Sequence, residues 1–152
     1  MKLHLEWLRA FTLTDDPKLI YSFDYDRLPK TAGVYVSGRR FGGQFEALYV
    51  GKATKLQNRT KRQLNNLKLM RHLQDAKSGE RVLLAGRFNA KPGQLEKKCL
   101  SILERALIRY FLSEGHDLVN VHGTRLRRHE IASVGSKGNI PNLIFVDRGK
   151  GE

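Results

Sequence analysis

The chain has 152 residues, 40% of them hydrophobic, and its 28 Lys and Arg against 15 Asp and Glu give a net charge of +13. This length suits one domain with a buried core. The charge indicates a polyanionic partner, most simply a nucleic acid. A basic protein that binds other proteins is the other interpretation. The single cysteine, Cys99, excludes an internal disulfide and suits a reducing cytoplasm.

Neither a targeting segment nor a membrane segment is expected. The first residues lack the long apolar region of a signal peptide. No stretch approaches the roughly 18 consecutive apolar residues that a membrane helix needs. The five histidines and one cysteine show no spacing typical of zinc ligands. We therefore expect a cytoplasmic protein that does not contact a membrane.

We expect residues 1–30 to form an N-terminal extension that packs on the core. Within it, Thr14 to Pro17 has the pattern of a helix start, with Pro17 in the first turn. Pro29 would end any helix that began there. A packing role is favoured over a functional one for this segment.

Residues 33–36 and 46–50 predict two strands that form a hairpin around a glycine-containing loop. Tyr35 and Tyr49 would stand on these paired strands. Two side chains so placed can meet on one face of a sheet. Each tyrosine taken alone would be interpreted as a core aromatic residue.

The rest of the chain predicts helices with one strand between them. Thr54 to Gln57 has the pattern of a capping box that would open a first helix. Residues 67–76 predict a second helix, and residues 82–88 predict a third strand. Residues 94–113 predict the longest helix, which Gly115 would end.

In the longest predicted helix, most apolar side chains, Leu95 and Tyr110 among them, fall on one arc. Glu104 falls at the edge of that arc. A carboxylate there is unfavourable unless it is paired or binds a metal ion. Further on, residues 143–146 predict a late strand.

Two short sequences, Gly33-Val34-Tyr35 and Tyr49-Val50-Gly51, resemble the two half-signatures of the GIY-YIG nuclease family. Arg59 continues the resemblance, Glu104 stands where the family carries its metal-binding glutamate, and Asn120 resembles its closing asparagine. The resemblance covers residues 33–120.

The resemblance implies an α/β (α+β) fold with a small, three-stranded, mostly antiparallel sheet flanked by helices. The nuclease core would span residues 31–122. Residues 1–30 would form the extension described above. Residues 123–152 would form a basic C-terminal extension that could add a strand.

The resemblance also implies hydrolysis of phosphodiester bonds, usually in DNA, with one divalent metal ion, Mg²⁺ or Mn²⁺. Glu104 would be the sole direct metal ligand, because a hard cation takes few protein oxygens. Tyr35 would act as the base or position the attacking water, and Lys52 would lower its pKa. Tyr49 would hydrogen-bond the water or the phosphate. Arg59 would bind the phosphate and stabilise the transition state.

Other residues are expected near this site. Gly33 and Gly51 belong to the half-signatures, and Asn120 would be a structural hydrogen-bonding residue. Gln63 stands where many family members carry His or Tyr, and it cannot act as an acid or base. His72 could compensate. Phosphate contacts are expected from seven basic residues: Arg39, Arg40, Lys55, Arg62, Arg125, Arg127 and Arg128.

The sequence leaves two functional alternatives open: a nucleic-acid-binding module on the same fold that does not cleave, and the basic protein-binding adaptor that only the charge favours. It also leaves open the biological role, the choice between DNA and RNA, recognition of sequence or of branched structure, and the oligomeric state. The presence of both tyrosines, the arginine and the glutamate favours the enzyme.

Overall fold

The computed structural model describes residues 1–119, 128–132 and 143–147, which form a mixed α+β fold. In chain order the strands are β1 (Glu6–Trp7), β2 (Phe11–Thr12), β3 (Thr14–Asp15), β4 (Tyr21–Ser22), β5 (Gly33–Phe41), β6 (Gln44–Ala53), β7 (Glu80–Arg87), β8 (Arg128–Ala132) and β9 (Leu143–Asp147). The helices are α1 (Leu56–Gln63), α2 (Leu67–Asp75) and α3 (Glu96–Ser113), and a single 3₁₀ turn covers Tyr25–Arg27. Within these ranges, no helix has the length and apolar character that crossing a bilayer requires.

The main sheet is antiparallel and runs in the order β1-β7-β5-β6, with β2 also paired to β7. Its three long strands, β5, β6 and β7, are those predicted from the sequence. The described sheet nevertheless has five strands rather than three, because β1 and β2 of the N-terminal segment pair with β7. Pairings of two residues each leave no periodic pattern in a sequence, so they were not predicted.

The helix predicted to start near Thr14 does not form. Instead, β3 and β4 make a small antiparallel hairpin. The Asp16 carboxylate accepts the backbone N–H groups of Lys18 and Leu19, each at 2.9 Å, and so closes the turn between the two strands. An aspartate at a helix start also accepts backbone N–H groups that follow it in the chain. The same residue pattern is therefore compatible with a helix start or with a hairpin turn.

Both faces of the main sheet are covered, because successive side chains of a strand alternate between faces. On one face, Tyr35 packs in a cluster with Leu56 of α1, Leu73 of α2 and Phe23 of the N-terminal segment. On the other face, Val36 packs in a cluster that includes residues of α3. The two sides of β5 therefore contact different helices.

Helix α1 begins at Leu56 without a side-chain cap, so the predicted capping box is wrong. The Leu56 N–H donates to the carbonyl of Thr31 at 2.8 Å, and the Gln57 N–H donates to the carbonyl of Pro29 at 3.3 Å. These carbonyls satisfy N–H groups that a helix start otherwise leaves unpaired. They also fix α1 against the segment that leads into β5.

The C-terminal end of α3 is fixed to the edge of β6. Gly115 follows the helix with a φ of +86°, in the left-handed region where glycine is favoured. The Ala47 N–H donates to Nδ1 of His116 at 2.7 Å, and the Val119 N–H donates to the carbonyl of Leu48 at 3.0 Å. These bonds hold α3 in place against β6.

The last described elements are β8 and β9, which pair in an antiparallel hairpin. Strand β9 confirms the predicted late strand and contacts α3. Arg128, one of the expected phosphate contacts, is the first residue of β8. Asn120, Arg125 and Arg127 lie outside the described residues.

Gly51 allows the Tyr35 ring to lie directly over the backbone of β6. The two residues are opposite each other in the β5–β6 register. A methyl group added at Gly51 would lie 2.3 Å from Cζ and 2.4 Å from the hydroxyl oxygen of Tyr35. Since real contacts are not this close, any side chain at residue 51 would displace the ring.

We therefore expect Gly51→Ala to lower the free energy of unfolding by about 1–3 kcal/mol, the usual range for overpacking a core. Urea denaturation measures the change. Tyr35→Ala removes the ring, so Gly51→Ala should cost less in that background than in the parent. An equal loss of stability in the two backgrounds would show that contact with Tyr35 is not what requires glycine at residue 51.

Candidate active site

A cleft of about 340 Å³ lies where β5, β6, α1 and α3 meet. The five residues expected to be catalytic line it together: Tyr35, Tyr49, Lys52, Arg59 and Glu104. Lys55 and Arg62, two of the expected phosphate contacts, also line it. The structure thus brings together side chains that are far apart in the sequence, the first being Tyr35 and the last Glu104. Asn58, which is not among the predicted site residues, contributes to the same cleft.

The two tyrosines lie side by side on neighbouring strands, as predicted. Tyr35 is opposite Gly51 and Tyr49 is opposite Ser37, so the tyrosines are diagonal neighbours. Their ring centroids are 6.0 Å apart, and both rings are buried. Burial on the strands fixes the position of each ring at the floor of the cleft.

Burial raises the pKa of the Tyr35 phenol well above its usual range, and the neighbouring Tyr49 raises it further, while Arg59 acts to lower it. No described group meets the Tyr35 hydroxyl in good hydrogen-bonding geometry, although both neighbours are close enough to affect its pKa. Tyr35 is therefore a protonated phenol at neutral pH.

Lys52 does not activate Tyr35 as expected. Its ammonium group donates a hydrogen bond to Oγ of Ser101 at 2.8 Å. The cation that acts on the Tyr35 phenol is Arg59, and the pKa of that phenol is raised rather than lowered. The predicted role of Lys52 in lowering this pKa is therefore wrong, although Lys52 lines the cleft.

Arg59 occupies the first turns of α1 and is partly buried beside both tyrosines. Burial alone lowers the pKa of its guanidinium, but the phenols of Tyr35 and Tyr49 outweigh this and raise it. The side chain is therefore a permanent cation at the cleft. Its planar fork of donors matches two oxygens of a phosphate group.

Glu104 is 5% exposed and lies within the buried face of α3, with Leu100 one turn before it. It was expected at the edge of an apolar arc that included Leu95 and Tyr110, but both of those side chains are exposed. The buried face is therefore rotated relative to the prediction, and Glu104 points into the structure. Its carboxylate lies near Tyr49, whose pKa is raised mainly by burial and further by this carboxylate.

The donor set at the cleft fits a hard divalent cation. In the part of the chain that the structure describes, no group of three or more His, Cys, Asp or Glu side chains could hold a metal ion. Mg²⁺ needs no such group, because it commonly takes one or two carboxylates and completes its shell with waters and substrate phosphate. The buried Glu104 carboxylate at the cleft meets this requirement.

Gln63 and His72 do not line the cleft. The Nε2 group of Gln63 donates towards the Tyr49 hydroxyl oxygen at 3.5 Å, so Gln63 contacts the site from behind. Nε2 of His72 lies 3.2 Å from the carbonyl oxygen of Asp117 and links α2 to the segment after α3. The proposed compensation by His72 therefore has no geometric support.

Arg39 and Arg40 lie at the other end of β5. Arg39 is 6% exposed and pairs with Glu46 at 2.9 Å, donates to the carbonyl of Ser78 at 2.7 Å and stacks over a phenylalanine ring. The expectation that Arg39 contacts DNA is therefore wrong, because its guanidinium supports the hairpin. Arg40 is exposed and pairs with Glu80 at 2.8 Å.

We expect the two arginines to differ in their effect on stability. Arg39→Ala leaves a half-buried carboxylate and a carbonyl without their donor, which should cost about 1–3 kcal/mol. Arg40→Ala breaks an exposed ion pair with Glu80, which solvent screens, and should cost clearly less. Urea denaturation of both variants measures the difference. Similar small losses would mean that the Arg39 contacts contribute little.

No protein-family model, curated protein or solved structure matches the chain. The assignment of the candidate site therefore depends on its geometry and on the motifs in the sequence.

Proposed function

We propose that the chain is an endonuclease that hydrolyses phosphodiester bonds in DNA with one divalent metal ion, on a fold of the GIY-YIG type. The observation that carries the proposal is the meeting of two buried tyrosines, an arginine and a buried carboxylate in one cleft. These groups can bind a phosphate, hold a metal ion and orient water. The half-signatures around Tyr35 and Tyr49 support the same assignment.

Glu104 would hold the metal ion, Mg²⁺ or Mn²⁺. When bound, such an ion supplies positive charge that stabilises the charge developing on the phosphate and the leaving oxygen. Burial holds the carboxylate in place at the cleft, where its oxygens are the kind of ligand that Mg²⁺ prefers.

Arg59 binds the scissile phosphate through its forked N–H donors. It is already held beside the two phenols, so it needs little reorganisation when charge builds up in the transition state. Lys52 adds a second positive charge, and its bond to Ser101 fixes the ammonium group at the rim of the cleft. The positive charges of Arg59 and Lys52 stabilise the pentacovalent phosphate of the transition state more than they stabilise the ground state.

Tyr35 and Tyr49 orient the attacking water and the phosphate by hydrogen bonds. Of the two roles expected for Tyr35, positioning fits better than action as a base, because burial keeps the phenol protonated. A protonated phenol can still accept a hydrogen bond from water and donate one to a phosphate oxygen.

Basic side chains extend from the cleft over the neighbouring surface. Lys55 and Arg62 line its mouth. A smaller depression of about 230 Å³ adjoins the cleft, shares Lys52 with it and adds Lys97. Together with the net charge of +13, this arrangement suits phosphates on both sides of the scissile bond.

A binding module without cleavage is the second candidate. Two observations favour it: the raised pKa of Tyr35 and the presence of Gln63, which cannot exchange protons, behind Tyr49. Incubation of the chain with plasmid, branched DNA and RNA, each with and without Mg²⁺ or Mn²⁺, separates the candidates. Tight binding without any cleavage would favour the module, and cleavage that persists in excess chelator would contradict a metal-dependent enzyme.

We expect Glu104→Gln to reduce the rate of DNA cleavage by at least 10²-fold, because the metal ion loses its carboxylate ligand. The variant keeps the size of the side chain and removes a negative charge, so DNA affinity should be unchanged or slightly higher. Single-turnover cleavage and a binding titration measure the two effects. Glu96→Gln, at the exposed start of the same helix, is the control. A Glu104→Gln variant that cuts as fast as this control would refute the assignment.

We expect Arg62→Gln to weaken DNA binding and to lower the slope of log affinity against log salt by about 0.9, the value for one phosphate contact. Arg62 is exposed at the cleft, so stability should not change. Arg71→Gln is the matched control, since Arg71 is exposed on α2 and does not line the cleft. Equal slopes for the two variants would mean that Arg62 makes no specific phosphate contact.

A further inference from the structure

The depression beside the cleft combines an apolar floor with a cationic rim, and we call it the α3 depression. It measures about 230 Å³ and is lined by Lys52, Ala53, Thr54, Lys97, Leu100 and Ser101. Ala53 and Leu100 are buried, whereas Thr54 and Lys97 are exposed, so the apolar groups lie at the bottom and the polar groups at the edge. An apolar floor contributes little to the binding of a bare anion. The ligand that fits this surface therefore has an apolar part as well.

Ser101 fixes the ammonium group of Lys52 at the boundary between the cleft and the α3 depression. The Ser101 hydroxyl donates to the carbonyl of Lys97, one turn earlier in α3, at 3.1 Å. Because a hydroxyl has a single proton, its oxygen is then the acceptor for Lys52, whose Nζ donates to it at 2.8 Å. Lys52 lines both the cleft and the depression, so its charge acts on both.

The positive charge at the α3 depression is not neutralised within the part of the chain that the structure describes. Lys52 and Lys97 form no ion pair there, whereas the exposed Arg40 pairs with a carboxylate. Nor does any described carboxylate line the depression. An ammonium group has three N–H donors, and Ser101 takes only one from Lys52. The other donors of Lys52 and those of Lys97 are available to an anion.

A nucleic-acid strand has the same alternation of charged and apolar surface. Consecutive phosphates are separated by one sugar, whose carbon atoms are apolar. The depression is smaller than the roughly 300–1,000 Å³ pockets that hold drug-sized ligands, so a single sugar–phosphate unit suits its size. Because the depression shares Lys52 with the cleft, a strand whose scissile phosphate lies in the cleft would place the next nucleotide here.

We propose that the α3 depression is a subsite for the nucleotide next to the scissile phosphate. The sugar of this nucleotide packs on Ala53 and Leu100. Its far phosphate binds the ammonium groups of Lys52 and Lys97. Ser101 is a positioning residue, which holds Lys52 between the two phosphates. The proposal deepens the endonuclease function and rests on it for the identity of the strand.

Two residues of α3 supply the variants that test the subsite. Lys97→Gln removes one charge from the rim. Lys98→Gln removes the same charge from the next residue, which is exposed and does not line the depression, so it is the matched control. Ser101→Ala removes the acceptor that holds Lys52. Ser101→Thr keeps the hydroxyl, because a threonine in a helix can make the same bond to the carbonyl one turn earlier.

Titration with thymidine 3′,5′-bisphosphate tests the subsite without cleavage. In protein with ¹³C-labelled methyl groups, we expect the bisphosphate to shift the resonances of Ala53 and Leu100 and inorganic phosphate to leave them in place. Lys97→Gln should weaken bisphosphate binding by about fivefold, the upper end for one exposed ion pair, and Lys98→Gln should bind like the parent. Ser101→Ala should weaken binding to a similar extent, and Ser101→Thr should restore it.

Modified DNA locates the phosphate that Lys97 contacts. An uncharged methylphosphonate replaces, in turn, the phosphate on either side of the mapped cut, and binding is measured without a metal ion. At one of the two positions, the affinity of the parent and of Lys98→Gln should fall by about fivefold. The affinity of Lys97→Gln should not fall there, because this variant has already lost the contact.

Methyl resonances that do not respond to the bisphosphate would overturn the subsite. So would equal bisphosphate affinities of Lys97→Gln and Lys98→Gln, or equal losses from the methylphosphonates in these two variants. A Ser101→Ala variant that binds the bisphosphate like the parent would overturn the positioning role of Ser101. A parent protein that cuts no DNA would refute the endonuclease function, and the bisphosphate titration would still decide whether the subsite exists.

Discussion

A carboxylate within the packed face of α3 is the constraint on which the candidate site depends. Burying an ionised group is costly unless opposite charge or donors surround it. Glu104 is 5% exposed, and the cleft that it lines also carries Lys52, Arg59 and Arg62. An apolar residue would pack at this place without such neighbours. The concentration of positive charge at the cleft therefore offsets the cost of burying this carboxylate.

The other groups of the site are held by rigid elements rather than by loops. The tyrosines stand on the two longest paired strands, and the missing side chain at Gly51 leaves room for the Tyr35 ring. Arg59 is fixed because carbonyls of the segment before β5 satisfy the first N–H groups of α1. A site built on strands and helices keeps its geometry before any ligand arrives. A ligand that enters the cleft would therefore lose little binding energy to ordering the protein.

Local patterns in the sequence predicted the long strands, the three helices and the pairing of the tyrosines, because these depend on neighbouring residues. They failed where a distant part of the chain decided the outcome. The capping pattern at Thr54 is not used, since the carbonyls of Pro29 and Thr31 already satisfy α1. Charge alone could not distinguish Arg39, which Glu46 holds in the hairpin, from Arg62 at the cleft.

The contacts that fix the end of α3 have a consequence for self-association. Strand β6 is the last strand on its side of the main sheet, and an uncovered edge strand offers its N–H and C=O groups to another chain. Val119 forms a parallel bridge with Tyr49, and His116 takes up the N–H of Ala47. The register between β5 and β6 also shifts at Leu48, a bulge that a flat partner strand would not match. The segment after α3, which anchors that helix to β6, thus also protects this edge from edge-to-edge aggregation.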